Sequence, residues 1–314
     1  MGTKKYFEFE LYRLNIIRGE TLLFDQHLKP IKSDGDIIKI LKKSVDPKYK
    51  EISSGEANTY EWVLRDFCKL NVGKEYGDIF SIAIAKAHSE ITAEVVTESG
   101  LEEGRTELTP HVAQSCRLFF YMKRHLLAIE KRSVITSSER WRSALSAILK
   151  QVAFDIEHND WIEFEPIPRK EEIFELFNSF DRLTRLKITL RRPNPELSRF
   201  AESLYRQMEE GGVREYMQDM KNPQGLKREK GKLPHASTEI ASSGYKKGEV
   251  LFEGVKNGKK ETAKTGKNAS VGSTRVLKED VKGIKEICTT KKASATTKAI
   301  LEEIDRIAPN PEAK

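Results

Sequence analysis

Leu183–Arg192 carries the residue types and spacing best suited to hold a ligand. Leu186, Ile188 and Leu190 alternate there with Arg185, Lys187, Thr189 and Arg191. As a strand, the segment sets three cations about 7 Å apart on one sheet face. That spacing suits successive phosphates of a single nucleic-acid strand. Arg192 extends the positive edge. Helices are expected over the leucine face, leaving the basic face open. The same pattern also fits a structural role, in which the cations pair with Glu163 and Glu165, which alternate outward along Trp161–Glu165.

Two further cationic groups could contact an anion. Lys123, Arg124 and His125 lie between two apolar runs, followed by Lys131 and Arg132 and then by Arg140 and Arg142 at a helix entry. A hairpin tip and a helix N-terminus could meet on one anion there, although a charged turn needs no function. Tyr121 and Trp161 are the aromatics near these cations, and both also suit a core. Farther on, Gly244-Tyr245, Lys259, Lys260, Lys264 and Lys267 make a basic arm. Lysines without aromatics give salt-sensitive, sequence-independent binding to polyanions. A solubilising tail or a dock for an acidic peptide would use the same composition.

Catalytic patterns are weaker. Asp155, Glu157, His158, Asp160, Glu163 and Glu165 cluster around one strand start, and metal-dependent hydrolysis needs converging carboxylates. Glu163-Phe164-Glu165, however, stands where a nuclease E-x-K would be, so a nuclease using Glu163 and Glu165 is a third reading. The six histidines are isolated, with no H-E-x-x-H, and His235-Ala236-Ser237 is a single H-x-S. Walker, G-x-G-x-x-G and G-x-S-x-G motifs are missing. Cys68, Cys116 and Cys288 offer no C-x-x-C knuckle. The expectation is a non-enzymatic protein with no cofactor and no catalytic or metal-binding residues.

The elements that must position these residues emerge from composition and periodicity. The 314 residues are 38% hydrophobic and 33% charged, with a net charge of +7. No run approaches a membrane span, and Met1–Glu10 turns acidic where a secretory leader would be apolar. A cytoplasmic protein with no membrane partner is expected. The charge is uneven: 221–314 holds 21 Lys+Arg against 12 Asp+Glu and two aromatics, whereas 1–220 holds 34 against 36. A near-neutral body with a loosely packed cationic extension follows.

Strands are expected at 6–17, 79–85, 118–122, 126–130, 161–165 and 183–192, and helices at 34–44, over about 16 residues from Ser137 or Ser138, and at 171–180, 196–210 and 297–308. Asp34 is the expected cap of the first helix. Tyr60–Leu70 fits either state, and 94–109 reads as an exposed excursion. Asn257-Gly258 marks a hairpin. The fold class is α+β, a mostly antiparallel sheet covered by helices with ferredoxin-like elements. Three regions are expected: an α+β part over 1–115, a β-β-α-β-α-β block plus helix over 116–220, and a basic hairpin and tail with a C-terminal helix over 221–314.

Three segments, Phe9–Ile16 (FELYRLNI), Phe119–Arg132 (FFYMKRHLLAIEKR) and Arg182–Pro195 (RLTRLKITLRRPNP), together resemble a bacterial family of unknown biochemical function associated with abortive phage-infection loci. The resemblance covers residues 6–220 and is less secure in the basic tail. It implies a cytoplasmic defence component working with a helicase-like partner protein, and it transfers no catalytic residues. Combined with the residues above, the expectation is a nucleic-acid-associated protein that contacts DNA or RNA, without sequence preference, through Arg185, Lys187, Arg191, Arg192, Lys123, Arg124, Lys259 and Lys260. The alternative is an adaptor that recognises an acidic partner peptide.

Overall fold

β1 (Tyr6–Ile17) lies inside an eight-stranded antiparallel sheet in the computed structural model, which describes residues 5–19, 28–54, 59–97, 100–191, 206–208, 210–213, 215–288 and 290–309. Phe7, Phe9 and Leu11 enter one core while Tyr12 and Leu14 enter another. Period-two alternation thus reflects a strand covered on both faces, not one.

The sheet runs β12–β1–β6–β5–β4–β3–β2, with β7 also on β1. Its members are β2 (Lys50–Ser54), β3 (Thr59–Leu70), β4 (Ile79–Thr97), β5 (Gly100–Tyr121), β6 (Leu126–Glu130), β7 (Trp161–Pro166) and β12 (Ser270–Leu277). Along one edge of β1, β12 pairs with Tyr6–Leu11 and β7 with Tyr12–Ile17. Within the expected excursion at 94–109, the described residues are strand, β4 up to Thr97 and β5 from Gly100. β4 and β5 stay paired to Thr97↔Gly100, well past the last β3 partner at His88.

One face of this sheet holds α1 (Asp34–Lys43) and α3 (Arg140–Asp155), which follows the short α2 (Ser133–Thr136). Trp141, Leu145, Ile148, Leu149 and Val152 recur at helical spacing and are all buried. Each such side chain contributes roughly 1.5–3 kcal/mol by leaving water. Ser33, rather than Asp34, caps α1. The Asp34 carboxylate meets His125 Nε2 at 2.8 Å instead. The opposite face is covered by α6 (Lys278–Lys282), α7 (Ile284–Ile287) and α8 (Lys291–Ile307), through Val281, Ile284, Ala293, Ile300, Leu301 and Ile304.

A second, four-stranded sheet runs β11–β10–β8–β9. It comprises β8 (Arg182–Arg191), β9 (Glu215–Lys221), β10 (Val250–Lys256) and β11 (Lys259–Thr265). α4 (Lys170–Ser179) and α5 (Leu233–Ser242) pack on one of its faces, where Ile173, Phe177 and Ile240 meet Leu186, Ile188, Leu190, Val250 and Phe252. Asn257 and Gly258 both have positive φ, the geometry of a tight hairpin turn.

The α+β class and the antiparallel pairing hold, while two finer expectations do not. The 116–192 block does not close as a ferredoxin-like unit: β5, β6 and β7 belong to the large sheet and β8 to the small one. The reason lies in strand partners, because β1 offers β7 an edge and β8 takes β9 and β10 from later in the chain. Nor is the basic last third loosely packed. It supplies two strands of the small sheet, one edge of the large sheet and the helices over one core. Few aromatics are needed there, since β-branched and small residues fill in against Phe7, Phe9 and Phe119. The helix expected at 196–210 lies largely outside the described residues, with Arg206–Met208 helical.

Candidate nucleic-acid interface

Directly opposed residues of antiparallel strands share a sheet face, so pairing locates each cation of the small sheet. Lys187 opposes Leu251 on β10 and Asp219 on β9, and Leu251 opposes Lys264 on β11. The next row is Thr262, Glu253, Arg185 and Lys221. A bulge at Thr184 keeps Arg182 beside Val255, itself opposite Lys260. This is the face away from α4 and α5. Lys187, Lys221, Lys260 and Lys264 are exposed on it, as is Met217 at 63%. Strand spacing sets Lys187 and Lys264 about 10 Å apart. Cations outnumber carboxylates, because Asp219 and Glu253 are the acids among these rows.

Not every cation on the face is available. Arg185 grips Asp219 through Nε at 2.7 Å and Nη2 at 2.9 Å, and reaches Glu253 at 2.8 Å. Its hydrogen bonds, with Lys221 at 3.1 Å, hold the Asp219 carboxyl well below the usual carboxylate range. Lys187, Lys260 and Lys264 form no ion pair among the described residues. Those three, with Lys221, are the charges a polyanion would meet.

The structure scatters the other expected contacts. Arg191 is 3% exposed and pairs with Glu163 at 2.6 Å and Glu215 at 3.5 Å, the structural role weighed for this strand. Arg192 lies outside the described residues. Lys259 opposes Lys256 at the hairpin end, with the register of the helix-covered face. Lys123 bonds to the Glu75 carbonyl at 3.0 Å, on the large sheet. Arg124 is no free hairpin tip; it is buried, with Nη1 2.5 Å from Asp305 of α8. Tyr121 is in a core, and Trp161 carries Lys150 over its ring at 4.5 Å. No aromatic residue stands in the open rows, so stacking on bases has no platform there. Lys221 escaped the sequence reading because Glu215–Lys221 alternates without a run of cations.

The acidic run does not assemble a metal centre. Glu163 accepts from Trp161 Nε1 and Arg191, Glu165 faces Lys246 at 3.9 Å, and Asp160 accepts from the backbone of Gly19 and Ile31. Among the described residues no group of three His, Cys, Asp or Glu is placed to hold a metal ion. No helix among them is long and apolar enough to cross a membrane.

The model of DUF4747, a domain of unknown function, matches residues 41–288. The chain belongs to the DUF4747 family. The DUF4747 match includes all four strands of the small sheet and β12, while β1 and α8 fall outside it. No curated protein matches the chain.

Proposed function

We propose that this protein is a cytoplasmic, non-enzymatic component that binds the phosphate backbone of DNA or RNA through the open face of the small sheet. The observation that carries this reading is a face on which, among the described residues, no helix packs and Lys187, Lys260 and Lys264 stand exposed and unpaired. Lysines spaced across three strands, without aromatics, favour salt-sensitive contact that ignores sequence. A role in phage defence beside a helicase-like enzyme rests on the resemblance of Phe9–Ile16, Phe119–Arg132 and Arg182–Pro195 alone. Fluorescence anisotropy of labelled single strands and duplexes across a salt series tests the binding. Affinity that falls steeply with salt and ignores sequence is expected; no binding at low salt contradicts it.

A second reading follows from the apolar residues between those lysines. Leu251 and Val255 share the face, and Met217 is exposed beside it. An acidic peptide with apolar side chains would suit this mixture. Co-purification of a partner that survives nuclease treatment favours the adaptor, and loss of the partner with nuclease favours nucleic acid.

A further inference from the structure

β3 feeds Trp62 and Leu64 into the core under α1 and α3, then changes sides. Arg65 and Cys68 oppose Ala83 and Ser81, so β3 carries one extra residue at this point, and Asp66 sits there with φ of 62°. The bulge turns Cys68 and Leu70 into the other core, beneath the C-terminal helices. Cys288, directly after α7, is partly buried in that same core. The two thiols are near enough to influence each other within that core.

Cations surround the bulge. Arg117 Nη2 bonds both the Asp66 carboxylate and the Lys282 carbonyl at 3.3 Å, and Lys285 bonds Asp66 from the start of α7. Among the described residues Arg117 Nη1 is buried without a hydrogen-bond partner. The Arg117 guanidinium lies close enough to Cys68 to act on its thiol.

We propose that Cys68 and Cys288 are an oxidisable pair, which a hydroperoxide converts to a disulfide fastening the C-terminal helices to β3. Cys288 is the thiol oxidised first, because it is the less buried of the two. Burial, and then Cys288 itself, push the Cys68 thiol up to about 12, with Arg117 opposing, which leaves Cys68 the poorer nucleophile toward peroxide. The Cys288 thiolate takes the terminal oxygen of hydrogen peroxide, breaking the O–O bond, and becomes a sulfenic acid while water leaves. Cys68 sulfur then attacks the Cys288 sulfur, forming S–S and expelling a second water that carries the Cys68 proton. Two thiols and one peroxide thus give one disulfide and two waters. Cys116 is a spectator, buried in the core under α3.

The test treats the reduced full-length chain with hydrogen peroxide, blocks residual thiols under denaturing conditions and maps the peptides by mass. Loss of two hydrogens, a Cys68–Cys288 bridged peptide and a fall from three free thiols to one are expected. With dimedone present, Cys68→Ser should trap a sulfenic acid at Cys288, and Cys288→Ser should trap none at Cys68. Three thiols persisting through the treatment, a bridge to Cys116, or trapping at Cys68 in place of Cys288 would each overturn the proposal. The wild-type mass measurement needs no variant to fold.

Discussion

Arg191 Nη2 lies 2.6 Å from Glu163 Oε2, an ion pair that ties the small sheet to β7 of the large one. Burial alone would lift the Glu163 carboxyl, yet the Trp161 indole N–H and Arg191 outweigh it and hold it below its ordinary value. One of the cations expected on the ligand-binding face is therefore a fastener between the two sheets.

Removing one partner of this pair leaves the other charge poorly compensated. Arg191→Met is expected to destabilise the fold by about 2–3 kcal/mol, toward the low side for a buried pair because Glu163 is one-third exposed. Urea denaturation measures it. A depressed Glu163 contributes stability above its unfolded pKa and loses it as pH falls through the lower folded value. The wild type should thus lose more stability than Arg191→Met on acidification below about pH 4.5. Equal acid losses would separate Arg191 from Glu163.

Gly272 of β12 faces Phe9 of β1, and a Cβ there would stand 2.3 Å from the ring. Phe9 is fully buried and cannot swing aside. Gly272→Ala is expected to cost about 1–3 kcal/mol through overpacking, read as a lowered thermal midpoint. An unchanged midpoint would mean that β12 is not seated on β1 as described.

Local pattern made much of this legible. Phe7, Phe9 and Leu11, the α3 stripe from Trp141 to Val152, and Asn257-Gly258 announce their elements because periodicity and turn chemistry act over a few residues. Partner choice was not legible. Nothing near Leu183 says that β8 joins β9 and β10, since those pairings depend on residues far along the chain. The site followed the same rule: alternation along β8 correctly separated Arg185, Lys187 and Arg191 from Leu186, Ile188 and Leu190. Only the cross-strand register revealed Asp219 beside Arg185 and brought Lys221 and Lys264 onto the same face.

Lys246 is 1% exposed, donates to the Gly248 carbonyl at 2.8 Å, and lies near Glu165, Glu249, Arg142 and Arg191. Burial brings its pKa down to about 8 from 10.5, opposed by Glu165. Between these values the unfolded chain keeps a proton that the folded chain has released, so this group's contribution to stability rises with pH. Lys246→Met removes that dependence. Its stability relative to wild type is expected to decline by about 3 kcal/mol from pH 7 to pH 10.5. A constant difference, measured in urea at each pH, would contradict burial of the ammonium.

The central claim is that the open face of the small sheet engages phosphates, and salt-dependent affinity tests it most directly. Lys187, Lys221, Lys260 and Lys264 are replaced together by alanine, beside a control in which Lys123 and Lys259 are replaced. On duplex DNA each lost phosphate contact lowers the steepness of log K against log salt by about 0.9. The four-lysine variant should bind weakly with a shallower slope, and the control should match the wild type. Equal slopes for the four-lysine variant and the wild type would show that the phosphates are held elsewhere.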